Sequence, residues 1–257
     1  MKNLYSKVFL VVFIILLLIY IFYYKDRTYV NKYGSQYLHI VICATHDNKD
    51  YRRLTNTLNK QNLKYKTICW GKEWKGSGYG MRMNDTLDYL NKSAYDDDLI
   101  LYLDGYDVMV MGDIKEIVDK FNTFNKDIMF AAEKSLWPDI SIEWAKLIPK
   151  PNESNPYLNA LFIGKAKTVK KMLQQAHKHL SADDQGEFTH YFLNNQDKCD
   201  LDYKCSIFQC LNKVDIKKDL ILDKRVLNVE FNNKPVIIHG NSTDGKYKLE
   251  YIDSNLK

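Results

Sequence analysis

Two acids stand three residues apart in Asp104-Gly105-Tyr106-Asp107, directly after the apolar run LILYL. Carboxylates at that spacing, on a turn leaving a buried strand, can converge on one hard cation. Such a cation commonly bridges the oxygens of a diphosphate. A bare DxxD serves equally well as a capped turn with solvated acids. His239 ends another apolar run, in PVIIHGN, and adds a possible nitrogen ligand. Two carboxylates with one imidazole suit Mn²⁺ better than Mg²⁺. A second acidic pair, Asp183-Asp184, opens the segment DDQGEFTHYFLNN. It reads as a helix cap favoured by the dipole, or as a catalytic acid. Trp70, Trp74 and Trp137 follow apolar runs, where each either plugs the fold or stacks on a ring of a ligand. The GSGYG stretch at 76–80 has neither a Walker nor a dinucleotide spacing.

These side chains need a scaffold, and the pattern supplies one. Apolar runs at 38–45, 65–70, 97–104, 127–133 and 157–164 read as strands, with VLNVEF and PVIIHG as late strands. Helical patterns lie at 50–61, 84–93, 114–121, 166–180 and 183–195. Strands alternating with helices predict an α/β/α sandwich around a mixed, mainly parallel central sheet. Ligands of such sheets sit at the carboxyl ends of strands. That rule singles out Thr45, Trp70, Asp104, Glu133 and His239. No internal repeat or low-complexity tract occurs.

Composition sets the outer limits. With 257 residues, 46% hydrophobic and 27% charged, the chain is neither a disordered tail nor a disulfide mini-domain. Of the formal charge of +5, residues 1–32 hold +4, so the remainder is nearly neutral. That weighs against nucleic acid as a partner. Residues 8–24 carry no charge and, as a helix, would span roughly 25 Å. The run is longer than a signal-peptide core and is followed by bulky YYKDR, so it reads as an uncleaved single-pass membrane anchor. Tyr20, Tyr23 and Tyr24 would form its aromatic belt. The expected organisation is a tail at 1–7, the anchor at 8–24, a stem at 25–36 and a folded domain at 37–257. Basic residues flank the anchor on both sides and do not orient it. Five cysteines show no CxxC and no zinc spacing. Cys43 and Cys69 read as core thiols; Cys199, Cys205 and Cys210 allow one disulfide. Sequons at Asn84, Asn91, Asn152 and Asn241 agree with a luminal location.

Six segments, WGKEWKGS, LYLDGYDVMV, FAAEKSLWP, DDQGEFTHYFLN, LDYKCSIFQCL and PVIIHGN, occur in one order. In that order they resemble the glycosyltransferase domain of procollagen lysyl hydroxylases, over about Leu38 to Tyr251. The resemblance implies a GT-A fold that binds a UDP-sugar, UDP-glucose or UDP-galactose. It implies Mn²⁺ on the diphosphate, held by Asp104, Asp107 and His239. Tyr106 resembles the residue beside the uridine, Thr45 a nucleotide-pocket position, and Trp74 the tryptophan of the EEW segment. Trp137 resembles a sugar-pocket aromatic, and Asp183 and Asp184 the acids near the transferred sugar. Gly240 and Asn241 complete the HGN turn and resemble donor-binding positions, and Lys246 follows it toward the diphosphate. Asn159 resembles a catalytic-site residue and is kept in LNALFIG, where the family has the longer LNSGGFIG. The implied acceptor is hydroxylysine or galactosyl-hydroxylysine of a collagen-like chain, in an endoplasmic-reticulum or Golgi-type lumen. The His-x-Asp iron pattern is absent from these residues, so lysine hydroxylation is not expected of them. A non-catalytic GT-A binding module and a transferase with a glycan or lipid acceptor are the competing readings.

Overall fold

Uninterrupted apolar runs can be strands only if both of their faces are covered, and that is how they are used. The computed structural model describes residues 2–23, 25–74, 79–138, 148–150, 152–176 and 183–256. Its main sheet has seven strands: β1 (Val30–Tyr33), β2 (Gln36–Cys43), β3 (Lys66–Ile68), β4 (Leu99–Asp104), β6 (Ile128–Glu133), β7 (Tyr157–Lys165) and β8 (Cys199–Leu201). The order is β1-β2-β4-β7-β6-β8, with β3 also on β2. The pairings set β2, β3, β4, β6 and β8 in one direction and β1 and β7 in the other. The sheet is therefore mixed, as expected, but three of its six pairings are antiparallel, so it is less parallel than the pattern predicted.

Side chains that alternate along each strand feed two separate layers. Val41, Cys43, Ile100, Tyr102, Phe130 and Phe162 face α3 (Tyr79–Ser93), α5 (Ala166–Ala176) and α6 (Asp184–Asn194), meeting Met83, Leu90, Met172 and Phe188. Leu38, Ile40, Ile42, Leu99 and Leu101 face the other way, against α2 (Lys49–Lys60) and α4 (Ile114–Asn122), meeting Leu54, Leu58, Ile117 and Phe121. Helix α2 starts where Asn48 accepts hydrogen bonds from the N–H groups of Asp50 and Tyr51 at 3.0 and 2.8 Å.

A smaller three-stranded sheet was not legible as such in the sequence. It is ordered β5 (Val108–Val110), β12 (Ile237–His239), β9 (Phe208–Cys210). VLNVEF contributes only β11 (Val226–Asn228), paired with β10 (Leu220–Leu222) in a separate hairpin after the short helix α7 (Ile216–Asp219). The chain ends on α8 (Ser242–Asn255), which the sequence reading did not anticipate. The second expected strand stops early: Ile68 is its last residue, because Cys69 takes a left-handed φ of 64°.

The N-terminal region departs from a free stem. Within residues 25–36, β1 pairs antiparallel with β2. Ahead of it, Arg27 ion-pairs with Asp98 and sits 4.2 Å from the ring centroid of Tyr37. Helix α1 (Lys2–Tyr23) is present, and its residues Val8–Leu17 lie exposed. Among the described residues, no helix is long and apolar enough to cross a membrane. The expected aromatic belt at Tyr20, Tyr23 and Tyr24 lies outside the described side chains. All five cysteines are buried free thiols, so the disulfide that Cys199, Cys205 and Cys210 would have allowed is not formed.

Candidate active site

The turn Gly105–Asp107 carries the chain out of the main sheet and into the small one. Asp104 ends β4, and β5 begins at Val108. The crossing is tight against β2: a Cβ on Gly105 would lie 2.7 Å from the Ala44 Cβ and nearer still to the Cys43 carbonyl oxygen. Only glycine fits there. In the small sheet β5 and β12 are antiparallel, with Val108 opposite His239. The Gly240 N–H donates to the Asp107 carbonyl at 2.7 Å. The ladder thus brings His239 to the acidic turn. Its Nε2 lies 3.6 Å from Asp104 Oδ2 and 3.5 Å from Asp107 Oδ1. One ligand atom from each of the three lies within 4.8 Å of the others. Two carboxylates and an imidazole at that separation could hold a divalent cation.

Behind His239 is a buried polar network. Its Nδ1 lies 3.0 Å from Asn159 Oδ1, so Nδ1–H donates and Nε2 is left facing the carboxylates. Asn159 is aimed by an irregularity in β7: Phe162 pairs with Phe130, but Asn159 pairs with the next residue, Ala131. Asn159 Nδ2 and Gln185 Nε2 both donate to Glu133 Oε1, at 3.0 and 2.9 Å. Asn241 Nδ2 donates to Glu133 Oε2 at 2.7 Å, while its own oxygen accepts from the N–H groups of Leu211 and Asn212. Asn159 and Asn241 therefore stand behind the histidine. Burial raises the Glu133 carboxyl above its ordinary value, only partly offset by these donors. Burial alone would also lower His239 and raise Asp107. Their mutual attraction outweighs it, helped by Asp104 on one side and Lys246 on the other. The imidazole titrates above, and the carboxyl below, the usual range.

The second acidic pair divides its roles. Asp183 caps α6, accepting from the Gly186 N–H at 3.1 Å, and also accepts from Trp137 Nε1 at 3.1 Å. Asp184 is buried, and its Oδ2 lies 2.7 Å from Arg82 Nη1. Arg82 Nη2 ion-pairs with Asp104, and its Nε donates to Tyr102 Oη at 3.0 Å. Burial pushes the Asp184 carboxyl up to about 6 despite the arginine. Arg82 was not singled out by the sequence. It lies on α3 between two methionines, and its partners come from distant segments.

The remaining expected residues gather around the same edge. Tyr106 Oη accepts from the N–H groups of Thr45 and His46 at 2.9 and 3.0 Å, closing the end of β2. Lys246 Nζ, on α8, lies 3.7 Å from Asp107 Oδ2. The start of α8 is pressed onto the HGN turn, since a Cβ on Gly245 would come within 2.7 Å of the Gly240 carbonyl carbon. Trp74 and Trp137 are 45% and 58% exposed, which rules out a buried plug for either. Trp70 packs on Tyr51, with ring centroids 5.1 Å apart. Residues 75–78 of the glycine-containing loop lie outside the described residues.

Residues 34–257 match the family model described as the PLOD GT domain. The chain is 29% identical over 237 residues to "Multifunctional procollagen lysine hydroxylase and glycosyltransferase LH3" of Rattus norvegicus, covering 86% of this chain and 32% of that protein. It is 33% identical over 215 residues to the procollagen-lysine,2-oxoglutarate 5-dioxygenase of Drosophila melanogaster, covering 77% and 29%. It is 31% identical over 230 residues to protein R699 of Acanthamoeba polyphaga mimivirus, covering 82% and 49%. The chain thus spans about three-tenths to a half of the length of these relatives. Among solved structures, the apo form of mouse xyloside xylosyltransferase 1 superposes with a TM-score of 0.51 at 14% identity, covering 80% of this chain and 98% of that one. That likeness is one of fold.

Proposed function

The chain belongs to the PLOD GT domain family, and from that premise we propose that it transfers glucose or galactose from a UDP-sugar to a hydroxyl acceptor, with Mn²⁺ as its metal. Its class is a glycosyltransferase domain of GT-A-like α/β fold. Donor, metal and acceptor are the proposal. The observation that carries it is the convergence of Asp104, Asp107 and His239. A divalent cation held there would offset the negative charge that develops on the UDP leaving group. Lys246, beside Asp107, adds positive charge from the protein itself. Arg82 holds the Asp184 carboxylate toward Asp104, where it would orient the sugar. The exposed faces of Trp74 and Trp137 are available for stacking on base or sugar.

The acceptor we propose is hydroxylysine, or galactosyl-hydroxylysine, of a collagen-like chain in an endoplasmic-reticulum or Golgi-type lumen. Residues 8–24 are proposed as the membrane anchor. The docking of the stem supports a polymeric over a lipid acceptor. Arg27 is fastened at Asp98, just before β4, while Asp104 lies at the far end of that strand, about 20 Å away. The site therefore opens away from the end of α1. The shortened YLNALFIG segment still brings Asn159 to His239, which favours an enzyme over a non-catalytic module.

The test is to incubate the protein with UDP-glucose and with UDP-galactose, with and without Mn²⁺. Hydroxylysine peptide, glycan and lipid are offered in parallel. Mn²⁺-dependent release of UDP that Asp107→Ala abolishes is expected. No turnover of either donor with any acceptor, wild type and variant alike, would sink the reading.

A further inference from the structure

Cys43 ends β2, and Cys69 stands one residue past the end of its parallel neighbour β3. Their sulfurs lie 3.4 Å apart, and both are buried free thiols. They stand 26 positions apart in the chain. Cys69 lines a groove of about 520 Å³ shared with Trp70, Lys72, Asp85 and Tyr89. Cys43 lies on the inner side and is in register with Asp104 on β4. Two further contacts hold the Cys69 backbone in place. The Cys69 N–H donates to Asp85 Oδ2 at 3.2 Å, and its carbonyl accepts from the Lys72 N–H at 3.1 Å. Its φ of 64° would suit glycine or asparagine better. The position carries a thiol in spite of that backbone.

We propose that Cys43 and Cys69 are a dithiol–disulfide couple, an oxidation site set directly behind the acidic turn. The oxidant is a small-molecule disulfide, RSSR, of the glutathione class, entering by the groove. The Cys69 thiolate attacks one sulfur of RSSR, forming a mixed disulfide and releasing RS⁻. Cys43 gives its proton to the released RS⁻, attacks the Cys69 sulfur and expels the second RS⁻, which takes up the proton that Cys69 lost. Two protein thiols lose two electrons and two protons, and one RSSR becomes two RSH. The sulfurs close from 3.4 Å to a bond of about 2.05 Å. The bond ties the end of β3, and the loop that carries Trp70 and Trp74, to the strand beside Asp104.

The experiment uses the full chain and no transfer assay. Protein reduced with dithiothreitol is divided, and one half is oxidised with glutathione disulfide. Both halves are then alkylated with N-ethylmaleimide in denaturant and weighed intact. The reduced half takes five adducts, one for each cysteine. The oxidised half takes three, and its tryptic map joins the Cys43 peptide to the Cys69 peptide. Oxidation raises the Tm by about 6–12 °C, as expected for closing a loop of this length. Cys43→Ala and Cys69→Ala each abolish both the bridge and the rise. Five adducts after oxidation, a bridge between other cysteines, or an unchanged Tm overturns the proposal.

Discussion

Asn159 Oδ1 lies 3.0 Å from His239 Nδ1, and this one contact decides which imidazole nitrogen faces Asp104 and Asp107. With Nδ1 committed as a donor, Nε2 is the nitrogen whose lone pair a cation between it and the carboxylates would take up as the ring loses its proton. Asn159 is fixed in turn by Glu133. Asn159→Ala removes the acceptor and lets the ring change tautomer. Removing such a supporting partner weakens metal affinity by about 10–100-fold. Calorimetric titration with Mn²⁺ checks this, and an unchanged affinity would show that the histidine needs no such support.

Asp107 connects three groups: its side chain meets His239 and Lys246, and its carbonyl holds Gly240. Only the first two contacts depend on the carboxylate. Asp107→Ala should therefore keep the β5–β12 ladder while losing the cation. Turnover of the UDP-sugar is expected to fall at least about 100-fold. Far-ultraviolet circular dichroism should stay that of the parent. A collapse of secondary structure in the variant would mean that the carboxylate is structural.

How much of this was legible depends on how local each signal is. The acids, the histidine and Glu133 could be found because apolar runs mark where strands end, and strand ends are where such sheets bind ligands. The convergence itself comes from β5, a strand of three residues with too little pattern to separate it from the turn before it. Arg82 was hidden for a different reason. Nothing in GYGMRMNDT distinguishes a buried arginine from a solvated one, and its partners Asp104 and Asp184 come from other elements. The stem misled because its local sequence is polar, whereas β1 is set by pairing with β2 and by the docking of Arg27. Asn241 was placed at the donor by the resemblance alone. Its side chain is held by Glu133 and by the backbone of Leu211 and Asn212, long-range contacts that the local sequence does not signal.

Asp184 should set the acidic limb of the pH profile. Burial favours its protonated form, so the folded-state value rises from 3.8 to about 6. The sign follows. The buried charge costs stability above about pH 6, and that cost is relieved as the pH falls toward the unfolded value. If transfer needs the carboxylate, kcat/KM should climb with pH through about 6. Arg82 lowers this value, so Arg82→Gln should move the limb upward. Asp184→Asn should erase it. A limb at the same pH in all three proteins would assign it to another group.

Gly105 sets the spacing between β4 and β2 at the point where the acidic turn begins. A methyl group there meets the Cys43 carbonyl and the Ala44 Cβ, both fixed to backbone and unable to swing aside. Gly105→Ala must push Asp104 and Asp107 away from β2 together. We expect a loss of about 2–3 kcal/mol and a Tm lower by roughly 5–10 °C. Mn²⁺ binding should weaken in the same variant, because both acids flank the displaced residue. Gly80→Ala serves as the control. It lies in the first turn of α3 with no atom within 4 Å of the added carbon, and should be neutral or stabilising by up to about 1 kcal/mol. Thermal melts of the two variants side by side separate a steric effect at the turn from a general intolerance of glycine replacement. Equal losses in both would remove the special role assigned to Gly105.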